Sequence, residues 1–124
     1  MLTHYEYLKS ILEKILNAYE NLTKLEDKPG DLVFIKKEIL KINGFFHVFI
    51  NKVNAENYQL PELSELKSKF EYYLDTYSFE KEMDTMSSLY SDDSNRLKNM
   101  RLKILESITE KKLMDSIEYT VKKL

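Results

Sequence analysis

The residues that could hold a metal ion or move a proton are two histidines and a large set of carboxylates, and their spacing argues against both uses. A di-iron site in a helical bundle needs Glu followed three residues later by His on two helices. Met1 stands at that distance before His4 and Gly44 before His47, so the pattern fails at both. His47, set among Phe45, Phe46 and Phe49, reads as a hydrogen-bonded interior or boundary residue. Asp92-Asp93-Ser94-Asn95 resembles the start of a calcium loop, which requires glycine at its sixth position and glutamate at its twelfth. Counting from Asp92, those positions hold Leu97 and Lys103, so the stretch reads as a turn. There is no G-x-S-x-G elbow to present a serine nucleophile. The carboxylates interleave with lysines at helical spacing, which supports helices rather than acid–base pairs. With no cysteine, disulfides, thiolate zinc sites, iron–sulfur clusters and thiol nucleophiles are excluded. The expectation is a protein that is not an enzyme, with no metal and no cofactor.

Any site must therefore be a surface, and the composition says what builds it. At 124 residues a single domain over 1–124 is expected, long enough for one core. Apolar residues at 43%, 12% of the chain being aromatic, argue against disorder. Two glycines are too few for hairpins, barrels or phosphate loops, whereas the abundance of Lys, Glu and Leu favours helices. The longest apolar stretch, residues 45–50, is interrupted by His47 and too short to span a bilayer, so no membrane partner is expected. The N-terminal residues lack the basic-then-apolar pattern of a signal peptide; with the missing cysteines, this points to the cytoplasm. Asn21-Leu22-Thr23 matches a glycosylation sequon by chance on a helix.

The hydropathy pattern predicts an all-α, up-down four-helix bundle. In the first segment, from Thr3 to about Leu25, Tyr5, Leu8, Leu12, Ile15, Tyr19 and Leu22 step by three and four. Thr3 with Glu6 forms a capping box, and Leu2 with Tyr7 occupies the staple positions. Pro29-Gly30 turns the chain into a second segment that opens at Asp31, as N-cap, and runs to about Asn57. Its stripe is Leu32, Ile35, Ile39, Ile42, Phe46, Phe49 and Val53. Leu40, Phe45, Val48 and Ile50 make it apolar over most of its girth, so it is expected to be the most buried helix. Asn43-Gly44 could be a hairpin turn, but the helical period continues through it. Gly44 then marks a close crossing with another helix, or a kink. The third segment opens at Pro61 with Glu62 and Glu65, and carries Leu63, Leu66, Phe70, Tyr73 and Tyr77. Phe79, Met83, Met86 and Tyr90 then fall out of step, which predicts a kink or split near Thr76-Ser78. The fourth segment runs from about Ser94 to the end, either bent or broken near residues 109–112. Its apolar residues before and after that stretch point roughly 140° apart.

Two surfaces emerge as candidates. The later face, Leu113, Met114, Ile117, Val121 and Leu124, either packs back on the bundle or forms a docking or self-association surface. The net charge of −2 conceals a division: residues 61–93 carry nine acids and three lysines, whereas residues 94–124 carry eight Lys/Arg and four acids. The two segments may be read as compensating each other, or Arg96, Lys98, Arg101 and Lys103 as phosphate contacts. Tyr5, Tyr19, Tyr73, Tyr77 and Tyr90 fit core-edge positions with wetted hydroxyls, while Tyr58 and Tyr72 fall off the stripes, where a base could stack.

Leu40-Lys41-Ile42-Asn43-Gly44-Phe45, with Phe49 downstream, is similar to the Asn-Gly-containing helix of the small all-helical subunits of type III RNA-guided (CRISPR) effector complexes. It covers about ten residues and departs at Lys37, where that family often has proline. The resemblance implies a non-catalytic structural subunit with Lys/Arg contacts to a nucleic-acid backbone. The residues themselves point first to a non-enzymatic interaction or adaptor protein, or small subunit of a larger complex, working with a protein partner or by self-association. Nucleic-acid backbone binding within a complex is the alternative, and an immunity or inhibitor protein that masks a toxin through the acidic 61–93 face is a further one.

Overall fold

The computed structural model describes residues 4–26, 30–55, 60–89, 93–109 and 112–124. The capping box at Thr3 with Leu2, Pro29 of the turn, Tyr58, Tyr90 and Asp92 lie outside the described residues. All six elements are helices: α1 His4–Thr23, α2 Asp31–Ala55, α3 Pro61–Thr76, α4 Glu80–Leu89, α5 Ser94–Thr109 and α6 Leu113–Lys123. They share one core.

Spacings of three and four determine which residues enter it. Leu8, Leu12, Ile15 and Leu22 of α1 face Ile35, Ile39, Ile42, Phe46 and Phe49 of α2, all fully buried. Burial of a side chain of this size contributes about 1.5–3 kcal/mol. Between α2 and α3 the core is aromatic. Phe46 stacks on Phe70 with ring centroids 4.1 Å apart and meets Tyr73 edge-on at 5.2 Å, while Phe49 meets Phe70 at 5.0 Å. α1 packs on α2, α2 on α3, α3 on α6 and α6 on α1, so these four helices close a ring. α4 is carried by α2, and α5 leans on α1 and α6. The fourth wall of the bundle is thus the last eleven-residue helix rather than the start of the fourth segment.

Both expected breaks occur. α3 ends at Thr76, where the amides of Tyr77 and Ser78 both donate to the Tyr73 carbonyl (2.8 and 3.3 Å). Ser78 and Phe79 then adopt left-handed backbone angles, with φ of 43° and 65°. That conformation costs roughly 1–2 kcal/mol per residue for an L side chain. It turns Phe79 inward, where it is 2% exposed and stacks on Tyr77, and burial of the ring offsets the strain. From α2, the Asn43 amide donates to the Ser78 carbonyl at 2.8 Å and ties the junction down. The second break separates α5 from α6, with Lys112 also left-handed at φ 57°.

Local signals account for the helix starts. Pro61 opens α3 at its first turn. Asp93 caps α5, its carboxylate accepting the Arg96 amide at 3.1 Å. Gly30 at φ 97° makes the turn before α2. Asp31 is the first helical residue of α2 rather than its cap, and its carboxylate accepts the Glu26 amide at 3.2 Å.

Several expectations need correction. α2 runs unbroken through Asn43-Gly44, but it is not buried all round: Leu40, Gly44, His47 and Val48 are exposed. A methyl group built on Gly44 would have nothing within 4 Å, so no helix of the chain crosses closely there. His47 faces solvent because it lies on the side of α2 away from Phe46 and Phe49. Tyr73 is 2% exposed and its hydroxyl has no hydrogen-bond partner, so it is a core residue rather than a wetted edge.

Candidate interaction surface

The C-terminal face is spent on the fold. Leu113, Met114 and Ile117 are buried, and Val121 and Leu124 pack half-buried against the core. The phase change between α5 and α6 comes from the break, which turns α6 back to close the bundle. Lys69 of α3 fastens it, donating to the Ser116 hydroxyl at 2.6 Å. As this face is interior, the docking surface expected there is not available in this fold.

The four basic residues of α5 do not form one patch. Arg101 turns inward and donates to the Leu22 carbonyl of α1 at 3.3 Å. Arg96 pairs with Asp93 at 3.3 Å. Lys98 is exposed on a different side from Lys103. Arg96 and Lys103, two turns apart, instead rim a groove of about 610 Å³ between α4 and α5. Lys81 and Glu82 stand on its other side, above Phe79, Met86 and Met100. The charge division between α3–α4 and α5–α6 is partly balanced within helices, through Lys67–Glu71 and Lys69–Glu65. One ion pair crosses from Lys36 of α2 to Asp84 of α4 at 3.6 Å.

A smaller cavity of about 260 Å³ lies where α3 meets α5 and α6, walled by Tyr72, Tyr73, Tyr77 and Leu113. Burial, and secondarily the Glu82 carboxylate, pushes the Tyr73 phenol well above its usual range. Tyr73 is therefore a neutral donor at any physiological pH, not a proton carrier. Among the described residues no group of His, Asp and Glu is arranged to hold a metal ion. No described helix is long and apolar enough to cross a membrane.

What sequence reasoning missed is the outward face of α2. At 100° per residue, Val33, Leu40, Gly44 and Val48 fall within a sector of roughly 80°, opposite the buried Ile35, Ile42, Phe46 and Phe49. Val33 is 69% exposed, Leu40 45% and Val48 38%, and Phe34 beside them is 53% exposed. Single exposed apolar residues are ordinary, but here they line one helix face over fifteen residues, centred on a glycine. Lys37 and Lys41 flank the stripe, and Glu38, the acid between them, is turned inward at 7% exposure and held by Lys41 at 3.5 Å. The available signal was Gly44 itself: its helix-breaking cost is legible in sequence, though not the direction in which it faces.

The fold thus defines an all-α bundle with one apolar helix face turned outward. No family model matches the chain, and no curated protein or solved structure matches it.

Proposed function

We propose that this chain is a non-enzymatic interaction protein, an adaptor or small subunit, that works through the outward face of α2. The observation that carries this reading is Gly44. Glycine inside a helix costs roughly 0.5–1 kcal/mol relative to alanine. Nothing within the chain uses the space it leaves, yet Leu40 and Val48 stand exposed one turn to either side. A bare backbone between two apolar knobs suits the close approach of another helix. The test compares the intact chain with the double variant Leu40→Glu/Val48→Glu, both checked for helix content, in affinity capture with quantitative mass spectrometry. A partner held by the first and lost by the second supports the reading. A partner held equally by both places the interface elsewhere.

A second reading is nucleic-acid backbone contact as a small subunit of an RNA-guided complex. It is favoured by the gathering of Lys81, Arg96 and Lys103 around the α4–α5 groove. A gel-shift series at rising salt tests it: retardation at low salt that weakens in Arg96→Ala/Lys103→Ala supports it, and no retardation at low salt eliminates it as an autonomous activity.

A further inference from the structure

We propose that the chain pairs with a second copy of itself through α2, the two helices antiparallel about a two-fold axis beside Gly44. This rests on reading the α2 face as the interface and adds the identity of its occupant.

The support is the symmetry of the stripe. A two-fold interface must be self-complementary, each patch meeting its own copy. About Gly44 the exposed residues of α2 are arranged in that way. Leu40 and Val48 lie four residues to either side, so an antiparallel copy sets Leu40 against Val48 of the second copy, and the reverse. Lys37 and Asn51 lie seven residues to either side, which places each lysine opposite a neutral amide. Lys41 comes level with His47 of the second copy, and Val33 with the exposed Ala55. A parallel pairing would instead put Lys37 against Lys37 and Lys41 against Lys41. The antiparallel register sets apolar groups against apolar groups and keeps like charges from meeting head-on. The glycines face each other at the axis, where the absence of Cβ lets the backbones approach.

One helix pair lies near or below the low end of stable interfaces, about 1,200 Å² in total, so the dissociation constant is on the order of micromolar. Because the flanks of the stripe carry lysines without exposed acids between them, salt strengthens self-pairing. It would weaken the grip of an acidic partner helix.

Sedimentation equilibrium on the full chain, over roughly two decades of micromolar concentration, tests the proposal. The mass should rise from monomer to dimer. Gly44→Leu should weaken association at least about tenfold with helix content unchanged, since the monomer has open space for the side chain. Leu102→Glu, on the exposed face of α5, should leave association unchanged. The register has its own readout because the chain has no cysteine. In the antiparallel pair, Leu40 lies roughly 12 Å along the axis from its own counterpart, beyond disulfide reach. Leu40→Cys and Val48→Cys chains should therefore oxidise to each other when mixed and not to themselves. A strict monomer at the highest concentration, association indifferent to Gly44→Leu, or Leu40→Cys linking to itself would each overturn the proposal. If the chain is monomeric but Leu40→Glu/Val48→Glu loses a captured partner, the α2 reading survives and the second copy is excluded. If that capture is also unaffected, both fall.

Discussion

Replacing Gly44 by alanine should make the isolated protomer more stable, although it sits in the middle of the longest helix. The magnitude follows from what surrounds it. α2 is helical without interruption from Asp31 to Ala55, so the residue at 44 adopts ordinary helical geometry. A methyl group there meets nothing within 4 Å and has no steric cost. What remains is the propensity difference, about 0.8–1.0 kcal/mol in favour of alanine. For a domain of this size that corresponds to roughly 3–6 °C in melting temperature. Urea denaturation monitored by far-ultraviolet circular dichroism measures it, at protein concentrations well below those at which copies pair. The midpoint should rise with the slope unchanged, the sign of a stability change without a change in compactness. At high concentration the same substitution should weaken pairing, so gain at dilution and loss on association come from one methyl group. Destabilisation at dilution would refute the reasoning, because the fold itself would then require glycine and no outside helix would be needed to explain it.

Three other substitutions test how the fold is held. Ile117→Ala should cost about 2–5 kcal/mol by chemical denaturation, as expected for a core residue; a cost near zero would mean that α6 does not close the bundle. Phe79→Ala should cost about 3–5 kcal/mol, whereas Ser78→Gly should be neutral or stabilising because glycine tolerates the left-handed angle; equal losses would contradict strain at the junction. Tyr73→Phe removes a buried hydroxyl without a partner and should stabilise by about 1 kcal/mol near neutral pH. The folded phenol is raised above its unfolded value near 10, so above that pH the unfolded chain releases a proton the folded chain retains. Stability therefore falls as pH rises beyond about 10, and the difference between Tyr73→Phe and the parent should widen there. A difference flat with pH would show that the hydroxyl is hydrated.

The stripes of α1, α2 and α3 were legible because their buried residues repeat at three and four, and the phase slip after Tyr77 correctly located the α3–α4 break. The device that makes the break was not legible. Left-handed angles at Ser78 and Phe79 have no glycine to announce them and depend on Phe79 finding the core and Asn43 reaching the Ser78 carbonyl. The second apolar face near the C-terminus was visible, but its destination was not: the change of direction at Lys112 decides whether Leu113 and Ile117 point out or in. In α2 the difficulty ran the other way. A helix apolar over most of its girth does not reveal which face is buried, so Leu40, Gly44 and Val48 passed for core until the positions of α1 and α3 left them outside. The basic residues of α5 were visible as a run, while the turning of Arg101 onto the Leu22 carbonyl depends on tertiary packing.

The most direct test of α2 as the interaction face is a nitrogen–proton correlation spectrum followed from dilute to concentrated protein. Pairing through α2 predicts concentration-dependent shifts centred on Gly44 and extending through Leu40, Val48 and Val33, with Leu113, Ile117 and Val121 unmoved. Shifts concentrated on α6 or along the α4–α5 groove, or none at any concentration, would contradict it.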